Sequence, residues 1–126
     1  MDWTTILIVV AAVGAVILFK MAGQISSDKA ATLIREGAKV VDVRTTQEFS
    51  ADAVPGVINI PLDRIAQDAP KKLPDKSQPV LVHCLSGGRS MMAKRQLSGM
   101  GYTNVHNLGS LARARSIVKA HPVGGK

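Results

Sequence analysis

The sequence predicts an α/β domain, a small and mostly parallel sheet with helices on both faces, preceded by one transmembrane helix. Three observations carry this. Short β-branched runs alternate along the chain with helix-forming stretches, the rhythm of strands joined by helical crossovers. Val80-Leu81-Val82 is apolar without alternation, the pattern of a strand covered on both faces. Residues 6–19, ILIVVAAVGAVILF, contain no polar side chain.

The apolar run, extended to Trp3 and Gly23, reaches 21 residues, roughly 31 Å of helix and enough to span a hydrocarbon core of ~30 Å. Trp3 stands where an interfacial aromatic belt belongs, and Lys20 can snorkel its ammonium to the other interface. A core helix normally shows a polar face, and none is present. A cleavable signal peptide needs a basic leader, yet only Asp2 and the α-amino group precede the run. Lys20, Lys29, Arg35 and Lys39 follow it, so the positive-inside rule places the domain on the cytoplasmic side of a single-pass anchor. A free thiol suits that reducing compartment. The expected division is an anchor over 1–23, one domain over 24–123 and a loose tail over 124–126.

Within the domain, Ser26, Ser27 and Asp28 offer N-caps for a helix through Glu36, which Gly37 closes. Residues 39–43, KVVDV, read as a strand. Thr45-Thr46-Gln47-Glu48 contains a Thr-x-x-Glu capping box and opens a short helix bearing Phe49. The turn Val54-Pro55-Gly56 leads into a strand over 57–60, stopped by Pro61. Residues 62–73 read as a helix, 74–79 as a surface loop and 80–82 as the buried strand. A loop over 84–89 precedes a helix over 90–100, a strand near Val105 and a last helix over 111–120.

The composition excludes several classes. With 126 residues, 46% hydrophobic and 20% charged, the chain holds one ordered domain. One cysteine rules out an internal disulfide, and Cys84, His83, His106 and His121 lack the paired spacings of a zinc site. No metal or other cofactor is expected. The net charge of +7 is uneven: residues 76–126 contain eight Lys/Arg and no acidic side chain. That field suits an anionic substrate or an acidic lipid surface. Four aromatic residues are too few for a base-stacking platform, so no nucleic-acid partner is expected.

The chemistry gathers at one strand-to-helix turn. Cys84 lies at the carboxyl end of the most buried strand, the edge where open α/β sheets bind ligands. Leu85-Ser86-Gly87-Gly88-Arg89 follow, and Ser90 begins a helix. The two glycines let the loop curl so that successive N–H groups converge on one centre. The helix N-terminus adds about half a positive charge there, and Arg89 adds a whole one. Each favours the thiolate, which is the nucleophile. A lone cysteine that merely packs is the competing reading. His83 is read as packing or hydrogen-bonding rather than as a base. Ser86 and Ser90 either present hydroxyls to a bound sulfur or cap the helix.

Val41-Asp42-Val43-Arg44, Glu48-Phe49, the segment from Val54 to Leu62 and His83-Cys84-Leu85-Ser86-Gly87-Gly88-Arg89-Ser90 resemble a single-domain rhodanese in order and interval. Gly101-Tyr102, Asn104-Val105 and Asn107-Leu108-Gly109 continue the resemblance, which covers about residues 25–123. It implies a doubly wound α/β fold and sulfurtransferase activity through a persulfide on Cys84, with the active loop running from Cys84 to Arg89. It further implies a thiosulfate-like donor and a thiol or cyanide acceptor. By the same resemblance Asp42 orients the loop or pairs with an arginine, the alternative being a plain charge at a strand end. Arg44 either binds the donor anion or is a solvated surface arginine. Related phosphatases carry five residues between Cys and Arg where this chain has four, which suits a persulfide sulfur and is too tight for phosphate. A tethered sulfur-relay module with little thiosulfate turnover is the alternative function. Two positions depart from the family: Ala53 replaces a common His, and no Trp follows Gly109-Ser110.

Overall fold

The computed structural model describes residues 2–124, apart from the side chains of residues 19–22. Helix α1 spans Trp3–Ala22, and the domain follows as α2 (Ser27–Arg35), β1 (Lys39–Asp42), α3 (Thr46–Ala51), β2 (Ile58–Asn59), α4 (Ile65–Lys72), β3 (Val80–His83), α5 (Gly88–Gly99), β4 (Val105–Gly109) and α6 (Leu111–Ala120). The four strands are all parallel in the order β2-β1-β3-β4. Residues 62–73 are not one helix: Leu62–Arg64 form a single 3-10 turn after Pro61, and α4 follows from Ile65.

Alternation along the strands sorts the core into two layers. Val40 and Leu81 point to the face covered by α2 and α6, where Ile34, Ala114, Ile117 and Val118 meet them. Val41, Val80 and Val82 point to the face covered by α4 and α5, against Ile65, Ala69, Ala93 and Leu97. Leu81 is fully buried, which contributes about 2 kcal/mol by removing its side chain from water. The last helix packs through Leu111, Ala114, Ile117 and Val118 and has no need of a tryptophan. Val123 joins the same layer, while residues 125–126 of the expected tail lie outside the described residues.

The register brings the carboxyl ends of the two central strands together. Asp42 stands beside His83, and His83 beside Gly109 across an irregularity after Val82. Asn59 pins the edge strand here, its Nδ2 donating to the carbonyls of Asp42 and Arg44, both at 3.0 Å.

Helix α1 stands apart from this order. Trp3, Leu7, Ile8, Val10, Val13, Val16, Ile17 and Leu18 are all exposed, so the apolar surface runs around the helix. Among the described residues, no helix is long and apolar enough to cross a membrane. The transmembrane helix expected over residues 3–23 is therefore not found among the described residues, and the snorkelling side chain of Lys20 lies outside them.

Candidate active site

Beyond β3 the chain makes the turn that holds Cys84. Its start is stitched to β4 and α6: the Cys84 N–H donates to the Gly109 carbonyl at 3.1 Å, and the Leu111 N–H to the Leu85 carbonyl at 3.1 Å. Ser86 and Ser110 form a single antiparallel bridge. Leu85, Ser86 and Gly88 are exposed, whereas Cys84, Gly87 and Ser90 are buried.

Gly87 is the hinge of the turn. Its φ of +103° is left-handed, and a Cβ there would approach Gln24 and the backbone of Gly109. In this conformation the Gly87 N–H donates to Cys84 Sγ at 3.0 Å. Gly88 needs no such freedom and is already the first residue of α5. The helix thus begins two residues earlier than expected, because the left-handed Gly87 itself serves as the N-cap. Ser90 is accordingly not a cap. Its hydroxyl points inward, 3.5 Å from Cys84 Sγ, 2.7 Å from Asn107 Oδ1 and 3.1 Å from the Gly87 carbonyl.

Burial pushes the Cys84 thiol pKa up. The Ser90 hydroxyl and the backbone N–H groups of Ser90, Gly87 and Ser86 outweigh it, and the thiol ends below its ordinary value. A buried sulfur that accepts from the Gly87 N–H and has its pKa lowered is an environment that favours negative charge.

Arg89 does not direct its guanidinium hydrogen bonds at this sulfur. It forms a two-point pair with Glu48, with Nη1 to Oε1 at 2.6 Å and Nη2 to Oε2 at 3.0 Å. Glu48 also completes the α3 capping box, where Oε1 accepts from the Thr45 N–H at 3.2 Å. The Arg89 pair and the Thr45 N–H hold the Glu48 carboxyl at about 2. Arg89 therefore brings its charge to the loop already matched by an anion, and the expected whole positive charge is corrected to a neutralised pair. The Thr-x-x-Glu spacing revealed the cap but not this second partner of Glu48.

Asp42 and Arg44 lie together beneath the site. Asp42 Oδ1 accepts from the Arg44 N–H at 2.8 Å, and Oδ2 from Arg44 Nη2 at 2.8 Å and Nε at 2.9 Å. Arg44 Nη2 also donates to the Asp52 carbonyl at 2.5 Å. Arg44 is 3% exposed, so it is not a solvated surface arginine, and its Nε and Nη2 are committed to Asp42 and the Asp52 carbonyl. Of the two expectations for Asp42, the arginine pair is the one formed. His83 lies behind, its Nδ1 donating to the Cys84 carbonyl at 3.2 Å and its Nε2 3.9 Å from Asp42 Oδ2. Burial first, with help from Arg44 and Arg115, holds the His83 pKa below its ordinary value despite Asp42.

Two further residues support the site. Asn107 accepts from the Ser90 hydroxyl and from the Gly109 N–H at 3.0 Å, which fixes the wall behind Cys84. Gln24 lies over Gly87 and Gly109, where a Cβ on Gly109 would fall 2.7 Å from Gln24 Nε2. Neither carries a sequence signal of its own beyond the Asn-x-Gly spacing of Asn107 and Gly109. A cleft of about 380 Å³ lies elsewhere, between Val54, Pro55, Gly56 and the end of α6, and no residue of the Cys84 loop lines it.

Comparison with known proteins places this geometry. Residues 26–112 match the model of the rhodanese-like domain. The chain is 42% identical over 71 residues to a thiosulfate sulfurtransferase, PspE, of Escherichia coli strain K12, covering 56% of this chain and 68% of that protein. It is 33% identical over 85 residues to the thiosulfate sulfurtransferase GlpE of Pseudomonas entomophila, covering 68% of this chain and 76% of the relative. Among solved structures, a rhodanese with anions from E. coli superposes with a TM-score of 0.58 at 39% identity, over 60% of this chain and 89% of that one. The family match spans the sheet, the Cys84 turn and the start of the last helix, and with it the chain belongs to the rhodanese-like domain family, as a rhodanese-type sulfurtransferase.

Proposed function

We propose that the chain moves a sulfane sulfur from thiosulfate, or a similar small anionic donor, to a thiol or cyanide acceptor through a persulfide on Cys84. The observation that carries this reading is the Gly87 N–H at 3.0 Å from a buried Cys84 Sγ whose pKa is depressed. The Cys84 thiolate attacks the outer sulfur of thiosulfate. A new S–S bond forms, and the bond to the oxidised sulfur breaks with its electron pair to release sulfite. The persulfide's terminal sulfur is then held by the turn, where Leu85, Ser86, Gly87, Gly88, Arg89 and Ser90 form the binding loop. An attacking thiolate or cyanide takes that sulfur, and the pair of the S–S bond returns to Cys84. This is covalent catalysis in two displacements and gives ping-pong kinetics. The chain's one cysteine leaves no internal thiol to resolve the persulfide, so the acceptor comes from outside.

Mass spectrometry after exposure to thiosulfate tests the reading. The expected result is one added sulfur atom on wild type and none on Cys84→Ser, with turnover abolished in the variant. Turnover retained in Cys84→Ser overturns it. Persulfide formation without thiosulfate:cyanide turnover would make the chain a sulfur-relay module instead.

We also propose that α1 anchors the domain in a membrane, single-pass, with the domain on the cytoplasmic side. Support comes from the apolar sequence continuing through Phe19 and from exposure of large apolar side chains all round the described part of the helix. Downstream Lys20, Lys29, Arg35 and Lys39 supply the orientation. Membrane association that resists alkaline carbonate, with protease reaching the domain only in inverted vesicles, is the expected result. Release into the supernatant overturns the anchor.

A further inference from the structure

The connection between α1 and the domain is unusually short and ends at the active turn. Helix α1 stops at Ala22, and only Gly23 separates it from Gln24. Gln24 already packs over Gly87 and Gly109. The next residue is tied on both sides: the Ile25 N–H donates to the Asn107 carbonyl at 2.9 Å, and Arg113 donates to the Ile25 carbonyl. Arg113 also donates to the Leu108 carbonyl at 2.6 Å, so the linker, β4 and α6 are held as one piece. One free residue spans at most about 3.6 Å, which leaves the domain little freedom to swing its Cys84 edge away from the end of α1.

The surface at that edge is distinctive. Among the described residues outside α1, the exposed large apolar side chains are Leu85, at 54%, and Met92, at 59%. Leu85 follows the nucleophile, and Met92 lies on the first turns of α5, which starts from the same loop. Basic side chains accompany them. Lys94 and Arg95 follow Met92 on α5, and Lys29 lies in the first turn of α2, which starts three residues after Gln24. On this side Glu48 is spent on Arg89 and Asp28 stands beside Lys29, while α5 itself contains no acidic side chain. Apolar tips among lysines and arginines, beside the exit of an apolar helix, match an acidic bilayer surface: the tips enter the interfacial zone and the cations meet lipid phosphates.

We propose that the Cys84 face is the membrane-facing side of the domain, with Leu85 and Met92 seated in the interfacial zone of an acidic bilayer next to the point where α1 leaves it. The proposal rests on the anchor reading given above and adds an orientation that the anchor alone does not set.

The test uses the full chain in vesicles of phosphatidylethanolamine and phosphatidylglycerol containing brominated lipid, with Trp3→Phe removing the chain's one tryptophan. In that background Met92→Trp reports the Cys84 face. Lys71→Trp, at the exposed far end of α4, reports a surface away from it. Both positions are exposed, so the substitutions leave the core untouched. The expected result is flotation with the vesicles, loss of most Met92→Trp emission to bromine, and retained Lys71→Trp emission. Flotation without quenching at Met92→Trp, or with equal quenching at both, overturns the orientation while the anchor stands. No flotation overturns the anchor, and the proposal with it.

Discussion

Arg89 and Glu48 face each other across 41 residues of chain, joined at 2.6 and 3.0 Å in a two-point pair between the active turn and the cap of α3. The loop's guanidinium is therefore bound to a carboxylate before any donor arrives, and the depression of the Cys84 pKa comes from the Ser90 hydroxyl and backbone amides instead. Glu48→Gln keeps an oxygen for Arg89 while deleting the negative charge. The expected outcome is a lower KM for thiosulfate with kcat little changed, and a Cys84 pKa lower still by ultraviolet thiolate titration. A raised KM would show that Glu48 positions Arg89 more than it neutralises it.

The same carboxylate links the site to acid stability. Glu48 titrates at about 2 in the folded chain against 4.5 for its ordinary value. A depressed folded pKa contributes stability that is complete above the unfolded value and fades as pH falls from about 4.5 toward 2. Thr45→Ala removes the hydroxyl that accepts from the Glu48 N–H at 3.1 Å, at a cost of about 1 kcal/mol. Urea denaturation at neutral pH measures that loss, and an unchanged midpoint would show that the cap contributes nothing.

Ser90 acts on the sulfur from the other side. Ser90→Ala removes the hydroxyl beside the sulfur that helps lower the Cys84 pKa and leaves the amides of Gly87 and Ser86 in place. The thiol pKa is expected to rise and persulfide formation at neutral pH to slow, with a stability loss of about 1 kcal/mol. Iodoacetamide alkylation rates across pH give the pKa, and an unmoved profile would remove Ser90 from the thiolate's environment.

Asp42 and Arg44 are a buried pair, 0% and 3% exposed. Asp42→Ala leaves the Arg44 charge without its partner, and breaking such a pair costs about 3–5 kcal/mol. The expected result is a large drop in the denaturation midpoint of purified protein. A variant as stable as wild type would show that Arg44 finds water on losing Asp42.

His83 supplies a second pH dependence. Its pKa is lowered in the fold, chiefly by burial, and its Nε2 has no hydrogen-bond partner. The unfolded chain then binds the extra proton first, so stability is full above the ordinary histidine value of about 6.5 and falls as pH drops below it. His83→Leu is expected to flatten that slope between pH 7.5 and 5.5 in denaturant titrations. An unchanged slope would assign the titration to another group.

The strands, the capping box at Thr45 and the place of Cys84 at the end of the most buried strand are all legible in the linear chain. Each follows from local pattern: β-branched runs, a cap spacing, and glycines beside a nucleophile. Composition likewise excludes a disulfide framework, since one sulfhydryl cannot pair with itself. What folding alone decides is which partner each charged or polar group meets. Arg89 finds Glu48, Arg44 turns back onto Asp42, Ser90 turns inward to Asn107, and Gln24 covers Gly87 and Gly109. Spacing along a chain determines which side of a strand or helix a residue occupies, but the closure of two distant segments is set by packing of the whole core. A guanidinium beside a nucleophile therefore reads as free charge in one dimension and proves to be half of an ion pair in three.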